Sequence, residues 1–142
     1  MSIEKLEEYI AANDLGQIEL LLEQNPKLAT TNTSHQVSPL MLSCYYRKPE
    51  VTRLLLNYTK ELTLFEAAAA GRLDIMANLI YNSPNSLDDY AADGFTALGL
   101  ACYFGNYDEA RYLVLKGADV NRPSNNGFYV YPLHSACAGN YT

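Results

Sequence analysis

Residues 93–106 read DGFTALGLACYFGN, and residues 116–121 read KGADVN. Asp93-Gly94 is a turn signal, because glycine accepts positive φ without steric cost. Thr96 is placed to cap a helix by accepting a backbone N–H. Leu98 and the Ala101-Cys102 pair fall on one face at helical spacing. Gly105 lets the chain leave this first helix in a left-handed conformation. A second amphipathic stretch then presents Ala110, Leu113 and Val114, and Gly117 ends it before Ala118-Asp119-Val120-Asn121 leads into another turn. The segment is thus a turn, a short helix, a tight exit and a second helix.

The same unit recurs along the chain. The dipeptides Leu21-Leu22, Leu55-Leu56, Leu79-Ile80 and Leu113-Val114 each close an amphipathic stretch, at intervals of 34, 24 and 34 residues. Self-similarity at this period is the mark of stacked repeats. The second unit, SPLMLSCYYRKPE at 38–50, opens with Ser-Pro-Leu. Pro39 suits a first helical turn, where its missing N–H is not needed, and Pro49 suits the start of the second helix. The third unit, LFEAAAAGRLDIMANLI at 64–80, keeps two helices and Gly71 but has lost about ten residues ahead of the first. The first unit, residues 3–25, sets Glu4, Lys5, Glu7 and Glu8 beside Leu6 and Ile10, the polar outer face that a terminal repeat needs.

These strings resemble ankyrin repeats. Tetratricopeptide repeats have a similar period, so the resemblance rests on the threonine–x–leucine start, the glycine after the first helix and the GADVN exit, all within one unit. It covers essentially the whole chain and departs at Arg47, where the family usually has glycine. It implies an all-α solenoid of helix–turn–helix units with short β-hairpin fingers. As one domain over 1–142, it comprises a capping repeat at 3–31, repeats at 32–60, 61–88 and 89–121, and an incomplete fifth at 122–142. The third finger is expected to be stunted or absent, leaving a notch in the row of fingers. The fifth unit, YPLHSACAGN at 131–140, matches a first helix with Tyr131 in place of the capping threonine, and the finger ahead of it is about two residues longer than usual. An unfinished repeat exposes the apolar flank of the fourth and frays first, so the expectation is a fragment of a longer chain or an end covered by another copy.

Composition narrows the function classes. Of 142 residues, 49% are hydrophobic and 18% charged, as in a folded chain. The net charge of −6 argues against nucleic acid or an anionic membrane as the main partner. No apolar run is long enough to cross a bilayer, and the charged N-terminal sequence lacks the apolar core of a signal peptide, which reads as cytoplasmic. Cys44, Cys102 and Cys137 share one position in their units, the second of an Ala-Ala pair, where unit three has Ala68. They read as small buried apolar groups. Repeats about 10 Å apart are too far separated to share a zinc ion with bonds of about 2.3 Å. Asp88, Asp89, Asp93, Asp108, Glu109 and Asp119 read as a solvated face, and no nucleophile, phosphate-binding or metalloprotease motif accompanies them. No enzyme activity, cofactor or metal is expected.

Tyrosine is the unusual residue, with 12 copies and no tryptophan. In ankyrin repeats, binding residues commonly lie at finger tips and at the two positions after the Ala-Ala pair. The resemblance therefore implies protein-binding positions at Tyr45 and Tyr46, at Tyr103 and Phe104, at finger residues His35, Val37, Asp93 and Phe95, and at Phe128 and Tyr129 in the longer fifth finger. Units three and five carry Ala69-Ala70 and Ala138-Gly139 at the paired positions, so two aromatic pairs would flank a small-residue gap. Against this, Tyr46 and Phe104 could instead pack between neighbouring helices. His134 falls at the leucine–histidine position of the motif and reads as a structural residue. The expected partner is a protein or peptide held on the concave face. The alternative is a structural or self-associating segment, monomeric or a weak homodimer through the incomplete C-terminal repeat.

Overall fold

The computed structural model describes residues 2–34, 37–91, 94–121 and 123–124. The chain divides into two compact units, residues 1–61 and 62–142. The first holds α1 (Ser2–Ala12), α2 (Leu15–Gln24), α3 (Pro39–Tyr45) and α4 (Pro49–Tyr58), with a 3-10 turn at Pro26–Thr30. The second holds α5 (Leu64–Ala70), α6 (Leu73–Asn82), α7 (Ala97–Tyr103) and α8 (Tyr107–Leu115), with a 3-10 turn at Pro84–Ser86. Among the described residues there is no strand, only an isolated antiparallel bridge between Tyr90 and Thr96. None of these helices is long and apolar enough to cross a membrane.

Within each unit the first helices pack on each other and the second helices form an outer layer. α1 lies against α3 and α2 against α4; likewise α5 lies against α7 and α6 against α8. Leu6, Ile10, Ile18, Leu22, Leu40, Val51 and Leu55 are fully buried in the first core. Ala67, Ala68, Met76, Ala97, Ala101 and Leu113 are fully buried in the second. Alanine at the α5–α7 contact lets these helices pack closely, since an interior keeps few voids.

Capping residues start the first helices. The Ser38 hydroxyl accepts from the Met41 N–H at 3.2 Å, and the Thr96 hydroxyl from the Gly99 N–H at 3.0 Å. Thr63 and Glu66 form a reciprocal capping box at the start of α5, with bonds of 3.1 and 2.9 Å. Each first helix then ends alike. Asn13, Arg47, Gly71 and Gly105 have φ of 57, 56, 74 and 70°. The next residue's N–H reaches a carbonyl five residues back: Asp14 to Tyr9, Lys48 to Ser43, Arg72 to Ala67, Asn106 to Ala101, all at 2.9–3.0 Å. This is the left-handed exit that caps orphan carbonyls. It forms at Arg47 despite the side chain that ordinarily disfavours it.

Backbone bonds close the finger segments. The Thr33 N–H donates to the Val37 carbonyl at 2.9 Å, and the Ala91 N–H to the Phe95 carbonyl at 2.8 Å. No such hairpin precedes α5, because only residues 59–63 separate it from α4.

Candidate functional site

The first helices are closed to solvent along most of their length. α3 is buried from Pro39 through Cys44, and α7 from Ala97 through Ala101. Solvent is reached at their C-terminal ends, where the aromatic pairs stand. In the first unit Tyr45 is half-buried and Tyr46 is 39% exposed. In the second, Tyr103 and Phe104 are half-buried and meet edge to face, with ring centroids 5.0 Å apart and planes at 83°. That geometry suits the quadrupoles of two rings and fixes them as one block. Beside them in the second unit, the end of α5 offers buried Ala69 and half-buried Ala70.

The left-handed exits place these pairs, because the chain turns away immediately after them. Asn106, just past the second exit, reaches back to the preceding repeat. Its Nδ2 donates to the carbonyls of Ala68 at 2.7 Å and Ala69 at 2.9 Å. Gly71 lies next to it, where a Cβ would be 3.4 Å from the Asn106 Oδ1, an ordinary contact, so the demand for glycine comes from its φ of 74°. Sequence reasoning missed Asn106, whose partners are backbone carbonyls 37 and 38 residues away and leave no trace in residue type.

The finger residues are held in the same way within each unit. Val37 is half-buried, and its carbonyl also accepts from the Thr33 hydroxyl at 2.9 Å. Glu7 of α1 ties this finger down, taking the Ser34 N–H at 3.2 Å and its hydroxyl at 2.5 Å. Phe95 is half-buried against α7 at Gly99, where a Cβ would lie 4.0 Å from its ring. In the second unit, Asp88 Oδ1 accepts from the Asp119 N–H at 2.8 Å, and the Tyr90 hydroxyl donates to the Pro123 carbonyl at 3.0 Å. His35, Asp93, Phe128 and Tyr129, with His134 and Cys137, lie outside the described residues.

Two expectations need correction. Cys102 is half-buried, although Cys44 and Ala68 at the equivalent positions are buried. Burial nonetheless pushes its thiol above the ordinary value, which disfavours the nucleophilic thiolate. Glu109 is 8% exposed and no part of a solvated face, because it shares the inward side of α8 with Leu113 one turn on. Val114, on the apolar flank of the fourth unit, is 45% exposed. The equivalent Leu22 and Ile80 are buried on α2 and α6, each followed in its unit by another outer helix, and no described helix follows α8.

Among the described residues no group of three or more His, Cys, Asp or Glu could hold a metal ion. The repeating exits, caps and finger bonds define a helix–turn–helix solenoid unit. Residues 64–142 match the family model for ankyrin repeats, in three copies. The chain belongs to the ankyrin-repeat family. It is 33% identical over 115 residues to alpha-latrocrustotoxin-Lt1a of Latrodectus tredecimguttatus, covering 75% of this chain and 8% of that protein. It is 35% identical over 81 residues to the RelA-associated inhibitor of Mus musculus, covering 56% of this chain and 9% of that protein. It is 32% identical over 79 residues to ankyrin repeat and SAM domain-containing protein 6 of Rattus norvegicus, again covering 56% and 9%. The matches thus span less than a tenth of each relative. Ankyrin repeats are generally protein–protein interaction modules and typically carry no catalysis.

Proposed function

We propose that this chain is a non-catalytic interaction module that binds a protein or peptide at the exposed ends of its first helices and along its fingers. The observation that carries this reading is the pair of aromatic residues at one repeat position, Tyr45-Tyr46 and Tyr103-Phe104, where otherwise buried helices reach solvent. Tyrosine and phenylalanine supply large contact area with few rotatable bonds, and such residues dominate interface energetics. Val37 and Phe95 extend the surface from the fingers, and His35, Asp93, Phe128 and Tyr129 are assigned to it by sequence register. Affinity capture with this chain, against a variant carrying Tyr45→Ser, Tyr103→Ser and Phe104→Ser of equal helicity, tests it. A partner held by the first and lost by the second is the expected result. Equal retention by both removes the aromatic ends from the interface.

A second reading has its own support. Val114 and Leu115 stand 45% and 75% exposed on α8. That apolar flank favours a segment that docks another domain or a second copy through the repeat following α8. Light scattering separates the two: a concentration-dependent mass above 15.8 kDa that Val114→Ser with Leu115→Ser abolishes supports docking between copies.

A further inference from the structure

We infer that the outer face of the second unit pairs two copies of this chain, with Leu73, Tyr81, Tyr107 and Leu115 as the apolar contact and Arg111 and Asp108 as the charged one. These residues lie on α6 and α8, the outer helices, which pack against each other. Tyr81 is 85% exposed and Tyr107 72%, and both leucines reach solvent beside them. The face shares Leu115 with the flank considered above but includes neither Val114 nor the Tyr103–Phe104 block.

The repeat places the four apolar side chains together. Leu73 and Tyr107 open α6 and α8, and Tyr81 and Leu115 follow near their ends, about 12 Å along each axis. Packed helices lie about 8–10 Å apart, so the four mark the corners of one patch. Half-buried Ala77 and exposed Arg111 occupy its middle. The repeat itself does not require apolar residues here. In the first unit Leu15 and Pro49 open the outer helices, while exposed Glu23 and Asn57 hold the places of Tyr81 and Leu115. Large apolar side chains left in water by a fold that does not need them mark a contact surface.

Charge and area point to a second copy as the occupant. The charges of this face are self-complementary. Asp108 and Arg111 are exposed one turn apart on α8, and neither side chain has a hydrogen bond or ion pair with a described residue. Across a two-fold axis each guanidinium meets the carboxylate of the other copy, which gives two equal ion pairs. The four apolar side chains expose roughly 500 Å², taking a wholly uncovered aromatic side chain as about 150–250 Å². Two copies thus enclose about 1,000 Å², the lower limit of a specific interface, so the pair is weak. Tyrosine and arginine are also enriched at interface cores.

Sedimentation velocity of the whole chain over roughly 10 µM to 1 mM tests this. The expected result is a mass that rises from 15.8 kDa toward twice that value. Tyr81→Ser with Tyr107→Ser should weaken association about tenfold or more at unchanged helicity, since both tyrosines stand in solvent and the fold does not depend on them. Val114→Ser should leave association unchanged. Arg111→Asp and Asp108→Arg should each be monomeric alone and associate when mixed, because each supplies the charge that the other lacks. A chain that stays at 15.8 kDa throughout overturns the pairing. Association that survives the tyrosine changes but is lost in Val114→Ser overturns it too, and leaves the flank reading in its place. A mixture of the two charge variants that remains monomeric overturns the two-fold arrangement.

Discussion

The two units build the same helix exit from different residues. Residues 1–61 use Asn13 and Arg47, and residues 62–142 use Gly71 and Gly105, yet all four adopt φ between 56 and 74°. The following N–H closes on the same carbonyl in each case. The left-handed turn is therefore dictated by the stacking of two helices and imposed on whatever residue occurs there. Glycine accepts it at no steric cost, asparagine tolerates it, and arginine carries a penalty that the packing around α3 and α4 outweighs.

The largest expected effect tests what the second unit has and the first lacks. Asn106→Ala removes both donors to the Ala68 and Ala69 carbonyls and should lower stability by about 2–3 kcal/mol in urea unfolding. An unchanged midpoint would show that the carbonyls are satisfied by water. Next, Gly71→Ala should cost about 1–2 kcal/mol, from the left-handed backbone that a side chain disfavours. Stability equal to the parent would break the claim that a side chain at this exit carries a penalty.

A third substitution copies one unit onto the other. The place held by Glu109 in α8 is held in α4 by Val51, which is fully buried. No described residue hydrogen-bonds the Glu109 carboxylate, and a buried carboxylate carries a desolvation cost. Glu109→Val should raise stability by about 1–2 kcal/mol, seen as a higher urea midpoint at unchanged slope. Arg47→Gly should raise it by up to about 1 kcal/mol, the gain from relieved strain less the extra backbone entropy of glycine.

The smallest effect concerns Cys102. Its thiol sits above the ordinary 9.0 in the folded chain because of burial. The folded state thus favours the protonated form. That contribution to stability is complete below about pH 9 and is lost as pH rises through the folded value. Iodoacetamide labelling followed by peptide mass spectrometry should find Cys102 slower in the folded chain than in urea at pH 8. Equal rates would show the thiol to be open.

Features set by one residue type at a fixed spacing were legible in the sequence. The Thr96 cap, the Gly105 exit and the buried Leu113 follow from capping chemistry, glycine and helical period, and all three stand in the structure. What the sequence hid depends on partners distant along the chain. Asn106 looks like any residue after a glycine until the preceding repeat is folded beside it. Glu109 invites a solvent-facing reading by its charge, while the period of α8 turns it inward. Val114 obeys the apolar pattern of its unit, but burial needs a neighbouring helix as well as a pattern. The aromatic pairs were placed at helix ends by register, and the structure gives Tyr103 and Phe104 their edge-to-face contact. No residue-by-residue reading specifies that angle.

The Asn106 amide also has a meaning in time. Because one side chain in the fourth repeat holds two carbonyls of the third, α5 and α7 cannot open independently without breaking both bonds. Opening of either helix passes through the same event, so their slowest amide protons should exchange with deuterium at one shared rate. A repeat array with such a clasp opens as a block at that joint and not one helix at a time.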